Sequence, residues 1–152
     1  MTEQAATARR IIDDNLYLVL GTADASGRPW ATPVYYAPAG YHEFFWVSSP
    51  EATHSRNIEV RPEVGIVIFD SRAPIGTGQG VYMSAVAEAV GEAELERGIE
   101  IFSRRSQAHG GDPWSVDDVR AEIRLYRATA TEHSMLAKDG RPDHRIPVEL
   151  GP

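Results

Sequence analysis

The chain has 152 residues, 42% of them hydrophobic, enough to bury one core without metals or crosslinks. Fifteen Lys and Arg against 22 Asp and Glu give a formal charge of −7, which repels phosphate backbones and anionic lipid, so neither nucleic acid nor membrane is an expected partner. The absence of cysteine excludes disulfides, thiolate nucleophiles and Cys-ligated metal centres, so redox chemistry needs a borrowed cofactor.

The first 14 residues carry Glu3, Arg9, Arg10, Asp13 and Asp14 with no apolar h-region, and no stretch approaches the ~20 apolar residues of a membrane span. A cytoplasmic location is expected. Over residues 2–15, Ala5, Ala8, Ile11 and Ile12 share one helical face while Glu3, Arg9, Arg10 and Asp13 lie off it, which predicts a short leading helix. Residues 16–23 are rich in β-formers, Asp24-Ala25-Ser26-Gly27 supplies turn chemistry, and residues 29–37 read as the returning strand of a hairpin. Pro38-Ala39-Gly40 punctuates again before a third strand, Glu43–Ser48.

Ser49-Pro50-Glu51 has the chemistry of a helix start, with Ser to cap, Pro for the first turn and Glu toward the dipole; the helix should run to about Val60, ahead of Pro62. Residues 64–69 (VGIVIF) are nearly continuously apolar, which predicts a strand buried on both sides, and residues 81–90 continue the sheet after a Gly-rich loop. These two are the expected central strands. Leu95, Ile99 and Phe102 mark a helix over residues 92–107, and Ser115-Val116-Asp117-Asp118 resembles the start of a shorter one. A last strand follows at residues 124–132. With no repeat or linker, residues 1–152 read as a single domain, mainly β, a meander closed into a small barrel with peripheral helices.

The loop Gly76-Thr77-Gly78-Gln79-Gly80 is not a dinucleotide fingerprint: Val81 stands where glycine is needed, no helix follows, and there is no Walker lysine. It reads as a flexible connection. The five histidines show neither HExxH spacing nor an i, i+4 pair, so no metal site is expected, and there is no GxSxG elbow. What remains is residues 46–57, where Ser48, Thr53, His54, Ser55 and Arg56 fall within two turns and offer hydroxyls, an imidazole and a guanidinium to one phosphate. The alternative is an ordinary helix whose Arg and His point to water.

The chain nevertheless resembles the pyridoxamine 5′-phosphate oxidase-like superfamily, the flavin and deazaflavin oxidoreductases of split β-barrel fold. The resemblance runs over residues 16–90 through LGTADASGRPWATPVYY, FFWVSS, EATHSRNIEVRPEVGIVIFDS and VYMSAVAEAV, with a weaker continuation at Arg124-Leu125-Tyr126-Arg127. It implies a homodimer with cofactor sites built from both subunits. By resemblance, Ser48, His54, Ser55 and Arg56 meet the cofactor phosphate, the flavin ring lies along Ala31, Thr32, Pro33 and Val34, and Gln79 and Gly80 approach from the other side. The family often has Lys in place of His54, and Arg in place of Ala52 or Thr53, so this pocket has lost positive charge. The family's C-terminal Arg-x-His element also has no match in Asp143-His144-Arg145, which argues against pyridoxamine phosphate oxidation itself.

The implied activity is FMN-dependent hydride transfer to or from a small molecule, with no catalytic side chain assigned. The alternatives are a reductase using the deazaflavin F420, and a non-catalytic binder of flavin, haem or another small ligand. Trp30, Tyr35, Tyr36, Trp114 and Tyr126 serve either to stack on an aromatic substrate or to fill the core.

Overall fold

In the computed structural model, which describes residues 1–152, the chain forms α1 (Glu3–Asp14), β1 (Tyr17–Ala23), β2 (Pro29–Tyr35), β3 (Ala37–Ala39), β4 (Glu43–Ser48) and α2 (Thr53–Val60). It continues through β5 (Glu63–Phe69), β6 (Gly80–Ala89), α3 (Glu92–Ala108), a 3-10 turn (Val116–Asp118), β7 (Arg124–Leu136) and β8 (Arg145–Pro147). The strands pair in the order β2-β1-β5-β6-β7-β4-β3, with β8 on β7, all antiparallel. β2 and β3 end this path, yet only Tyr36 separates them in sequence, so the sheet has to curl back on itself. The fold is the mainly β split barrel with peripheral helices that the sequence implied. No helix is long and apolar enough to cross a membrane.

Tyr36 is fully buried at the point of closure, and its hydroxyl donates to the Ile12 carbonyl at 2.6 Å, tying α1 to the barrel. Burial pushes this hydroxyl well above the usual phenol range, so it stays a donor. Thr2 caps α1 by accepting from the Ala5 amide, and Ala5, Ala8 and Ile12 then pack on the barrel core. Alternation along the strands turns Leu18 and Leu20, Phe44 and Trp46, Ile66 and Ile68, and Val81, Met83 and Ala85 inward to the same core. A second, smaller cluster lies on the outer side of β4 and β7, where Ile99 and Phe102 of α3 cover Phe45 and Leu125. Gly98 permits that approach, because a Cβ there would sit 2.9 Å from the Phe45 ring.

Three sequence expectations need correction. β5 is buried on its inner side only: Val64, Ile66 and Ile68 are in the core, while Gly65 and Phe69 are exposed, Phe69 by 47%. On its outer side Val67 is half-buried and Phe69 exposed, and the same face continues through the half-buried Val19 and the 58%-exposed Tyr17 of β1 to Pro33 of β2. Second, the last long strand runs on to Leu136, four residues past the expected end, and carries β8 on its edge through Met135 and Ile146. Third, α2 starts at Thr53 rather than Ser49, for reasons that bear on the site below.

Replacing Tyr36 by Phe should cost about 1–3 kcal/mol, because the buried Ile12 carbonyl loses its donor. Chemical denaturation checks this, with a lower midpoint at unchanged slope as the expected result.

Candidate functional site

β4 ends at Ser48 and the chain turns sharply. The Ala52 amide donates to the Ser49 carbonyl at 3.2 Å and the Glu51 amide to Ser49 Oγ at 3.1 Å, so residues 49–52 close a turn. Pro50 suits the second position of such a turn, which is how the residues of an expected helix cap are used up before the helix begins. The cap position falls to Ala52, which has no side-chain acceptor, and no side chain caps the helix. The first amides of α2 are therefore left without side-chain partners. On its other flank α2 is fixed to the barrel by Asn57, buried, whose Nδ2 donates to Thr22 Oγ1 at 3.0 Å.

At this helix start Ser48 Oγ and His54 Nε2 lie 2.9 Å apart in a hydrogen bond. Burial lowers the pKa of His54, leaving the imidazole neutral at neutral pH. Arg56, on the exposed side of the helix, forms no ion pair and is the fixed positive charge of the group. Ser55 differs from its neighbours: it is buried, and its hydroxyl donates to the Ser49 carbonyl at 2.8 Å, so its hydrogen is committed to the turn. The structure thus brings Ser48 and His54 together and gives Ser55 a structural bond, while Arg56, two residues beyond His54, points to solvent from a different face of the helix.

On β2 the alternation separates the four residues assigned to the ring. Ala31 and Pro33 are exposed on the outer side, whereas Val34 belongs to the core and Thr32 shares its inward side. Val34 can therefore offer a ligand only its backbone. β2 lies at the end of the hydrogen-bonded path, where Pro33 removes no ladder bond that a neighbour needs. Gln79 and Gly80 are placed elsewhere. Gly80 pairs with Phe69 at the α1 end of the barrel, where Gln79 borders a hollow with Glu3 and Ile146, while β6 runs roughly 30 Å before reaching Ala89 beside α2. Within one chain they do not join the α2 group, because the loop between antiparallel β5 and β6 returns at the far pole.

A further polar pair escaped the sequence reading. The Tyr35 hydroxyl and His109 Nδ1 lie 2.7 Å apart, with Tyr17 and Phe102 edge-on to the Tyr35 ring and Trp114 against Phe102. Burial raises the Tyr35 pKa; burial, then the nearby Arg105 charge, lowers that of His109. A neutral imidazole accepting the phenol proton at Nδ1 fits both shifts and leaves the Nε2–H without a partner. His42, His133 and His144 instead bond backbone carbonyls. Of the other aromatic residues, Tyr36 and Tyr126 belong to the core and Trp30 is exposed.

A family model described as pyridoxamine 5′-phosphate oxidase matches residues 5–137. Solved structures of similar fold include a haem-binding protein from Mycobacterium smegmatis, 21% identical, with a TM-score of 0.75 over 97% of this chain and 59% of that one. HutZ, the haem storage protein from Vibrio cholerae, is 22% identical, with a TM-score of 0.64 over 80% of this chain and 86% of its own. A pyridoxinephosphate oxidase family protein from Clostridium acetobutylicum, related to general stress protein 26, is 14% identical, with a TM-score of 0.66 over 99% and 97% of the two chains. At these identities the likeness is one of fold, and this chain spans only 59% of the length of the mycobacterial protein. No curated protein matches the chain.

Because His54 is held below its ordinary value of ~6.5, the unfolded chain binds the proton more readily than the folded one. Its contribution to stability is complete above pH ~6.5 and is lost as pH falls through the folded value. Denaturation at a series of pH values should show the parent losing stability on acidification more steeply than His54→Asn.

Proposed function

The chain belongs to the pyridoxamine 5′-phosphate oxidase family, and from that premise we propose that it is an FMN-dependent oxidoreductase acting on a small molecule as a homodimer. The observation that carries this reading is the uncapped start of α2 beside the Ser48–His54 pair, with Arg56 exposed two residues further along the same helix. Free amides, a hydroxyl, an imidazole and one guanidinium are a donor set suited to a single phosphate monoester. They suit the longer acidic tail of F420 less well: His54 is neutral, and Arg61 is already bonded to the Ala25 carbonyl at 3.0 Å.

FMN, when bound, supplies the hydride chemistry. The chain supplies binding, orientation and exclusion of water. Arg56, His54 and Ser48 hold the phosphate, and the small outer surfaces of Ala31 and Pro33 with the adjoining backbone of Thr32 and Val34 hold the ring. The Tyr35–His109 pair, at the end of the same outer face, gives that groove a proton donor. On the outer face Tyr17 and Phe69 are exposed and Val19 and Val67 half-buried, and a second copy related by a two-fold axis would cover them and close the groove to water. Only from that second copy can Gln79 and Gly80 reach the groove.

A second reading, a non-catalytic haem binder, is favoured by one feature of this chain. His109 Nε2 has no partner and its Nδ1 lies 2.7 Å from the Tyr35 hydroxyl; with the ring proton on Nδ1 and donated to the Tyr35 oxygen, that bond would orient Nε2 as a metal ligand. The absorbance spectrum of the purified protein separates the readings, since flavin bands support the first and a Soret band the second.

For Arg56→Ala, FMN affinity should fall about 10–100-fold while riboflavin affinity stays unchanged, because the lost interaction is a charge-assisted bond to the phosphate. Equal loss for both ligands would mean that Arg56 does not read the phosphate. Reduced FMN-loaded protein should also be reoxidised by quinones or enones faster than free reduced FMN; equal rates would leave binding without catalysis.

A further inference from the structure

On the side of α2 that carries Ser55 and Ile58, the helix borders a cavity of about 420 Å³ at the mouth of the barrel, within the size range of small-ligand sites. Its inner wall is formed by Ile58, Ala87 of β6 and Tyr126 of β7, all more than nine-tenths buried. The Tyr126 ring is buried while its hydroxyl, bonded to nothing in the chain, stays open to water.

The rim carries charges of both signs. Glu59 comes from α2 and Arg124 from the first position of β7, and although both border one cavity, neither forms an ion pair with the other or with a third residue. The remaining rim carboxylate, Glu88, is already held by Arg127 at 2.7 Å. A plain anion drawn to Arg124 would also meet Glu59, and a plain cation drawn to Glu59 would meet Arg124. A molecule carrying both charges on a short backbone satisfies the two at once.

We propose that this cavity binds a small zwitterion with an apolar body, the chemical class of a free α-amino acid with an aromatic or branched side chain. Arg124 takes the carboxylate and Glu59 the ammonium group, while Ile58, Ala87 and Tyr126 receive the side chain. The site is independent of the flavin reading, because it uses neither β2 nor the His54 and Arg56 side chains.

The test adds L-phenylalanine to the ¹⁵N-labelled full-length chain and follows the amides of Ala87 and Ala89 together with the Trp46 indole, which stacks on Tyr126 with centroids 5.9 Å apart. Saturable shifts at these positions are expected, weakened about tenfold in Arg124→Gln and in Glu59→Gln. Both substituted side chains are exposed, so the thermal midpoint of each variant should match the parent. N-acetyl-L-phenylalanine, without the ammonium group, should bind the parent and Glu59→Gln equally; L-phenylalaninamide, without the carboxylate, should bind the parent and Arg124→Gln equally. No saturable shift, shifts confined to other residues, or binding that both variants leave unchanged would overturn the proposal.

Discussion

One constraint organises the molecule: the two ends of an eight-stranded sheet meet through a single residue, Tyr36. A flat sheet cannot place β2 and β3 one residue apart, so the strands coil until an inner and an outer face exist. Everything with an apolar alternate position is then sorted by that curvature. The hydroxyl of Tyr36 also reaches Ile12, so the residue that closes the barrel holds α1 across one end, while Asn57 and Thr22 hold α2 across the other. The uncapped first turn of α2 is left at the rim beside the last residue of β4 because the barrel, not the helix, sets where β4 stops.

The same curvature explains why a continuously apolar segment is only half buried. VGIVIF sends Val64, Ile66 and Ile68 to the core and leaves Val67 and Phe69 outside, next to Val19 and Tyr17. A strand facing water would alternate with polar residues, and each large apolar side chain left outside forgoes about 1.5–3 kcal/mol of burial. In the proposed homodimer a second copy on that face would supply the missing burial and would also cover the outer side of β2, where Ala31 and Pro33 lie. Under that proposal dimerisation and formation of the cofactor groove are one event.

Much of this was legible in local patterns. The helices at Glu3–Asp14 and Glu92–Ala108 follow the spacing of Ala5, Ala8 and Ile12 and of Leu95, Ile99 and Phe102, and Glu43–Ser48 forms a strand with those bounds. Ser48 and His54 come together because strand and helix are adjacent in sequence. What was not legible depends on contacts made at a distance. β8 is three residues, Arg145–Pro147, too short to show a period, and exists because β7 offers an edge. Ser49-Pro50-Glu51 satisfies the chemistry of a helix cap and of a turn equally well, and the hydroxyl of Ser55 on the Ser49 carbonyl helps fix the turn. Tyr35 and His109 stand 74 residues apart and meet only because α3 packs beside β3 and β4. The family resemblance puts Gln79 and Gly80 at the groove, but strand direction carries them to the other pole within one chain.

The most direct measurement is sedimentation equilibrium over a dilution series, with bound FMN followed at its own absorbance. A shared groove requires a species of twice 16.7 kDa that carries the flavin, with flavin binding lost in parallel with dissociation on dilution. A monomer that retains stoichiometric FMN at every concentration would contradict it.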